Sequence, residues 1–284
     1  MTRQSQTADG SRLKPGLSDM SDADLLRATQ SIYVIPSLAA WRAAELRVLR
    51  SLGSEFVGPI LEIGCGSGLF SGLLFSHVEI GIDYNLRTVD LCKRRADIYT
   101  EVRRMDARKL EFPDGAFKTV FANCVIEHIS GLDRMLAECH RVLAPGGAFI
   151  TTVPLDEFDR HLLLPYKWYI KRRAKDLEHV NLLSQQNWEA AFHRAGFGQL
   201  RVIPYLSGTG CKLWDHIDGP ACFGIGPLRV ARVYKMMNDV LPSDWRARLA
   251  RMWHRRFGVL LEDDPSRECC AVAVIARRGP FRVQ

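Results

Sequence analysis

Three glycines and two carboxylates suited to holding a ligand cluster around the end of one short apolar run. Ile60-Leu-Glu-Ile-Gly-Cys-Gly-Ser-Gly68 leads an apolar strand into a loop with Gly64, Gly66 and Gly68, and a helix is predicted directly after it. Glycine at such positions permits tight turns and lets a ligand approach the backbone. Glycine loops also serve plain strand-to-helix turns, so the pattern alone decides little. Two details sharpen it. The spacing is G-x-G-x-G, and Leu69 stands where a dinucleotide fingerprint has its third glycine. Glu62 precedes the first glycine by two residues, awkward beside a pyrophosphate but suited to a cationic amino-acid moiety. Asp83, in Gly81-Ile-Asp-Tyr-Asn85, closes the next strand about twenty residues further on, where a carboxylate can hold two ribose hydroxyls. The competing reading of Asp83 is a cap for a helix from Leu86.

The elements that must position these residues alternate in type. Strand-like Pro59–Ile63 is followed by a helical stretch Leu69–Phe75, strand-like Val78–Ile82 and a helix Leu86–Ala96. Strands at Thr119–Asn123 and Ala148–Val153 flank a helix around Leu132–Val142, and a helix Ser184–Ala195 precedes a strand around Gln199–Tyr205. Cys270–Ala276 is the last strand candidate. Short apolar runs alternating with helices predict an α/β fold with a parallel sheet covered on both faces. Ahead of it, Ser21 or Asp22 can cap one helix, which Pro36 interrupts, and Ser37–Leu52 has helical apolar spacing.

The resulting division is a loose N-terminal tail at 1–20, N-terminal helices at 21–53 and a core at 54–205. Residues 206–267 break the alternation and read as a helical insertion covering the C-terminal edge of the sheet. Residues 268–284 return to the core with its final strand.

Composition bounds the function classes. The chain has 284 residues and no apolar run of the roughly 18–20 residues that a spanning helix needs. The opening segment has no apolar stretch after Arg3, so it does not read as a secretory signal. None of the eight cysteines forms a C-x-x-C pair, which fits reduced thiols in a cytoplasm and no structural zinc. Residues 1–155 hold 18 Lys/Arg against 18 Asp/Glu, whereas residues 156–284 hold 21 against 14. All of the net +7 therefore lies in the second half, which suits either an anionic partner or a solubilising face. Tyr166, Trp168 and Tyr169 stand among Lys167, Lys171, Arg172 and Arg173. They read either as a surface for an anionic or interfacial ligand or as an amphipathic helix with its aromatics inward.

Taken together, five segments in order resemble the class I S-adenosylmethionine-dependent methyltransferases, nearest to the small-molecule branch of quinone-biosynthesis and sugar or polyketide enzymes. They are Leu61–Phe70, Asp83, Asp106-Ala107 with Leu110-Glu-Phe-Pro-Asp-Gly-Ala-Phe117, Val125-Ile-Glu-His-Ile129 and Arg141-Val-Leu-Ala-Pro-Gly-Gly-Ala-Phe-Ile150. The resemblance implies a Rossmann-like seven-stranded sheet whose last strand runs antiparallel between its neighbours, with Ala144–Gly147 as the turn into the fifth strand. It implies S-adenosyl-L-methionine as cofactor. Gly64, Cys65, Gly66 and Gly68 would wrap its methionine and ribose, with Glu62 near the amino group. Asp83 would take the ribose, Asp106 and Ala107 would border the adenine, and Asn123 with Cys124 would floor the reacting centre.

Methyl transfer to oxygen gains from a general base. His128, beside Glu127, is the candidate, the alternative being a capping or packing histidine. His179, in a segment that resembles a recurrent pocket mouth, is a candidate acceptor contact. Some relatives bind a divalent metal near this place, but no further carboxylate completes a site in the sequence, so no metal is expected. The acceptor is expected to be a small molecule, glycan or lipid, with peripheral membrane contact open. A DNA substrate is not expected, because Asn123-Cys-Val-Ile lacks the Asn/Asp-Pro-Pro-aromatic motif. An RNA or protein methyltransferase and a non-catalytic cofactor-binding module stay as alternatives. Leu69 and Glu62 both speak against a dehydrogenase.

Overall fold

A computed structural model describes residues 12–33, 35–95, 97–222 and 264–279, together with 248, 252, 257, 258 and 261. In chain order the helices are α1 (Asp22–Ile32), α2 (Pro36–Arg50), α3 (Ser71–Leu74), α4 (Leu86–Cys92), α5 (Leu132–Val142), α6 (Glu157–Arg160), α7 (Lys167–Leu177), α8 (Gln185–Arg194) and α9 (Gly208–Cys222). The strands are β1 (Ile60–Ile63), β2 (Val78–Asp83), β3 (Tyr99–Arg104), β4 (Phe117–Asn123), β5 (Leu143–Pro154), β6 (Phe197–Leu206) and β7 (Ala271–Arg278).

The strands form one sheet in the order β3-β2-β1-β4-β5-β7-β6, with β7 antiparallel to both β5 and β6. This is the Rossmann-like seven-stranded sheet expected from the resemblance. Alternate residues of each strand feed opposite layers, as a period of two requires. Phe121, Ile150 and Ala273 pack on the side of α2 and α9, whereas Val120, Phe149 and Val272 pack on the side of α5 and α8. Because both faces are covered, the central strands are mostly apolar, and all four residues of β1 are buried, Glu62 among them.

The chain runs outward from β1 through β2 to β3 and then returns to β4 on the other side of β1. The carboxyl ends of β1 and β4 therefore diverge at a topological switch point, where open α/β sheets bind ligands.

Several expected boundaries move. Pro36 opens α2 rather than only ending α1, since its missing N–H costs nothing at a first helical turn. The helix after the glycine loop shrinks to Ser71–Leu74. Ala144–Gly147 is a bulge within β5: Phe117 pairs with Leu143 and Thr119 with Ala148, and Gly146 takes φ +77°. Residues 12–20, expected in a loose tail, lie on the core. Leu13 bridges Phe75, Leu17 is buried, and Arg12 forms a 2.6 Å ion pair with Glu79. Residues 1–11 of that tail lie outside the described residues, as does most of 223–263 in the expected insertion, including its basic stretch apart from Arg248.

Candidate active site

The glycine loop crosses the ends of β1 and β2 in a conformation built from left-handed residues. Gly64, Gly66 and Gly68 have φ of +69°, +53° and +72°. At Gly64 a side chain is excluded twice over, because a Cβ would also lie 2.5 Å from a Val125 methyl. Glycine there lets the chain leaving β4 close against the loop. The loop is braced by Cys65 N–H donating to the Ile82 carbonyl (3.0 Å), Gly68 N–H to the Cys65 carbonyl (2.9 Å) and Gly66 N–H to Asp83 Oδ2 (3.0 Å). The other Asp83 oxygen accepts from Asn85 N–H at 2.8 Å, so the helix cap before α4 falls to Asn85, whose side chain accepts from Arg87 N–H.

A cavity of about 430 Å³ opens at the switch point. Among the expected residues Gly64, Asp83, Asp106, Ala107, Cys124 and His128 line it. Glu62, Cys65, Gly66, Gly68 and Asn123 are not on its wall. Glu62 is buried beneath the loop and accepts from Ser71 Oγ (2.6 Å) and Tyr99 Oη (2.7 Å). Burial is the main cause that pushes its carboxyl up to about 7, against those two donors, which lower it. Cys65 turns its thiol into the core and commits its amide to Ile82 of β2 and its carbonyl to the loop itself. Arg108 was not singled out by its sequence context. It clasps Asp106 through both carboxylate oxygens (2.7–3.1 Å) and reaches Ser130, closing one end of the cavity and holding the Asp106 carboxyl below its usual range.

A second cavity, of about 260 Å³, adjoins the first, and Cys124 and His128 line both. Its wall is largely apolar and aromatic. Trp41 meets Trp214 edge-on at 5.2 Å and Phe158 at 5.9 Å beside Ile35, Leu38 and Leu177, and Arg42, Glu127, His179 and Asp218 bring polar groups to the same wall. Glu45 of α2 is buried behind it and accepts from Trp41 Nε1 (2.9 Å), Arg42 (2.6 Å), Asn123 Nδ2 (2.8 Å) and Cys124 Sγ (2.8 Å). Asn123 is thereby a tie between β4 and α2, with its Oδ1 accepting from Thr152. Nothing in the sequence marked Glu45, which sits in an ordinary amphipathic helix.

Glu127, His128 and His179 meet at the junction of the cavities. Glu127 and His128 lie on the 3-10 turn Ile126–His128 that follows β4. The segment carrying His179 is tied to that turn. Val180 and Asn181 N–H both donate to the Glu127 carbonyl at 2.8 Å, and Asn181 Nδ2 donates to the carbonyls of Ile126 (3.0 Å) and Ile129 (2.7 Å). Glu178 takes a left-handed φ of +56°, and its carbonyl lies 3.0 Å from His128 Nδ1. A carbonyl only accepts, so Nδ1 carries the proton and Nε2 presents its lone pair. Burial pushes the Glu127 carboxyl up to about 8 and the His179 ring down to about 4, the latter helped by His128 and Arg173.

The chain is similar to known proteins in both sequence and fold. A family model described as a methyltransferase domain matches residues 61–151. A probable S-adenosylmethionine-dependent methyltransferase of Mycolicibacterium smegmatis is 30% identical over 178 residues, 58% of this chain and 69% of that protein. A fatty-acid O-methyltransferase of the same organism is 35% identical over 197 residues, 65% of this chain and 68% of that protein. The chain is a class I S-adenosylmethionine-dependent methyltransferase. In fold, the methyltransferase is similar to a solved S-adenosylmethionine-dependent enzyme of Thermotoga maritima, with a TM-score of 0.55 at 18% identity over 90% of this chain and 97% of that one.

The residues present suit that cofactor. The methyltransferase's loop leaves no side chain between backbone and cavity at Gly64, a carboxylate stands at Asp83, and 430 Å³ falls within the usual range of about 300–1,000 Å³ for small-ligand sites.

Proposed function

We propose that this methyltransferase acts on an oxygen of a small or lipid-like acceptor with an apolar body. The observation that carries the reading is the second cavity: an aromatic and aliphatic chamber whose polar end, at Cys124 and His128, is the wall it shares with the first. The fatty-acid O-methyltransferase that the chain resembles favours the same class of acceptor. At about 260 Å³ the chamber suits one ring system or part of an acyl chain, held among its aromatic and aliphatic side chains. Clustered positive charge in the second half, with Lys167, Lys171 and Arg172 on α7 beside exposed Tyr166 and Trp168, would favour an acceptor drawn from an anionic interface.

In this reading Gly64, Gly66 and Gly68 shape the bed for the cofactor's methionine and ribose, and Cys65 fixes the loop that carries them. Asp83 accepts from the ribose hydroxyls. Asp106, held by Arg108, borders the adenine with Ala107. Glu62 sets a carboxyl beneath the loop, and in its ionised form the charge would favour the cationic amino group. Asn123 and Cys124, tied to Glu45, fix the floor between the two cavities. S-adenosylmethionine supplies an activated methyl group, so the protein's main task is alignment.

The remaining task is the acceptor's proton. In the neutral imidazole His128 Nε2 carries the lone pair that faces the junction, with Glu127 Oε1 3.7 Å away. His179 meets the acceptor from the cavity side. Methyl transfer to fatty acids, quinols and hydroxylated lipids, measured for the native chain and His128→Ala, tests this. The variant should lose about 10²–10⁴-fold in turnover with cofactor affinity nearly unchanged. Undiminished turnover would reject the role.

A further inference from the structure

We propose that the outward face of α7 docks the methyltransferase on an anionic phospholipid surface, bringing one end of the acceptor chamber to the bilayer. The inference rests on reading that chamber as the site of an acceptor with an apolar body, and it assigns where such an acceptor is met. Tyr166 and Trp168, at the start of α7, are 58% and 57% exposed. Their rings stack with centroids 6.5 Å apart and planes 9° from parallel. A lone exposed ring is ordinary, but two that stack on each other outside the core form a joint apolar surface with a polar handle on each ring. Rings of this amphipathic kind settle at the level of lipid headgroups.

The charge around them fits the same partner. On a helix, positions 168, 171 and 175 share one stripe, away from the side on which Tyr169 and Arg173 are buried. Lys167, Lys171 and Lys175 are exposed, and none forms an ion pair among the described residues. The helix's own carboxylate, Asp176, is taken by Arg172 at 2.9 Å, and Arg173 turns inward to Asp215 and Asp218. Three lysines therefore stand here against one exposed carboxylate, Glu178 just past the helix. Lysine stems lie along apolar surface while their ammonium groups reach phosphate, so a bilayer engages rings and lysines together. An acidic protein would meet the lysines but would need a matching groove for the protruding rings.

The position of the helix supplies the link to the chamber. Leu177, the last residue of α7, and His179 lie on the chamber wall, and Val180 beside them is 59% exposed. An acceptor drawn from the bilayer would reach the chamber along α7 with little of its apolar body exposed to water.

The test is cosedimentation of the full-length chain, without acceptor, with vesicles of phosphatidylcholine and phosphatidylglycerol in equal parts. Binding is expected, and it should weaken as salt rises from about 0.1 M to 1 M, where the screening length falls from about 10 Å to 3 Å. A lysine near an anionic surface contributes roughly fivefold to partition, so Lys167→Gln, Lys171→Gln and Lys175→Gln together should lose about 100-fold. Tyr166→Ala with Trp168→Ala should lose at least about tenfold. All five positions are exposed, and unchanged binding of S-adenosylhomocysteine checks the fold of each variant. No vesicle binding at low salt, binding that both variants leave unaltered, or retention on polyglutamate but not on vesicles would each overturn the assignment. No acceptor takes part, so a negative result leaves the methyl-transfer reading standing, and a failed acceptor screen leaves the vesicle result standing.

Discussion

Glu62 stands one layer below the cofactor bed, and its protonation links the bed to pH. A folded-state value of about 7 exceeds the ordinary glutamate value near 4.3, so folding favours the protonated form. Its stabilising contribution is full below about pH 4.3 and is lost as pH rises through about 7. The cofactor-free protein should therefore show a decline in melting temperature across that window that Glu62→Gln flattens. Equal slopes for both proteins would place the carboxylate's ionisation outside the folding balance. The chemical identity of this residue, of Asp83 and of the glycines was legible because their spacing is dictated by one local turn. Glu45 and Arg108 were not legible, because what distinguishes them is the partner that another element brings: Asn123 and Cys124 for the first, Asp106 and Ser130 for the second. His179 was marked only through the resemblance, and its meeting with Glu127 rests on backbone bonds that no spacing rule encodes.

At the level of elements, α2, α7 and α9 contribute to the wall of the second cavity, and one buried charge network joins them. Arg173 of α7 pairs with Asp215 (2.8 Å) and Asp218 (2.6 Å) of α9. Asp215 also accepts from Tyr169 Oη (2.7 Å), Asp218 accepts from Ser37 of α2 (2.7 Å), and the guanidinium lies 5.3 Å from the Trp214 ring. Of the two readings of the aromatic-basic stretch, the structure divides the residues: Tyr169 and Arg173 point inward, whereas Tyr166 and Trp168 stack outward, more than half exposed. Helical periodicity allowed both, since a buried arginine looks in sequence like a surface one. Removing one partner of a buried charge network leaves the others uncompensated, so Arg173→Ala should destabilise the fold by about 3–5 kcal/mol in denaturant titration. A loss below about 1 kcal/mol, as exposed pairs give, would show that the network does not hold the chamber together. The Leu110–Phe117 segment is explained at this scale too. Arg141 of α5 donates to the Leu110 and Phe112 carbonyls and to Asp114, fastening the segment that carries the chain into β4.

At the scale of the whole molecule, alternating apolar runs and helices made the parallel part of the sheet readable, whereas the antiparallel last strand between its neighbours was implied only by the resemblance. Residues 12–20 escaped that logic: a polar composition concealed the partly buried Leu13, which bridges Phe75 at the end of α3, and the buried Leu17. Among the described residues no helix is long and apolar enough to cross a membrane. The account as a whole stands on the cofactor occupying the switch-point cavity with Asp83 at its ribose. The most direct test is calorimetric titration of S-adenosylhomocysteine into the native chain and Asp83→Ala, with NAD as the comparison ligand. One site per chain is expected for the native protein, weakened in the variant by about 1.5–3 kcal/mol, or roughly 10- to 150-fold, with no NAD binding. An affinity unchanged by the substitution, or tighter binding of NAD, would contradict the placement of the cofactor and the mechanism built on it.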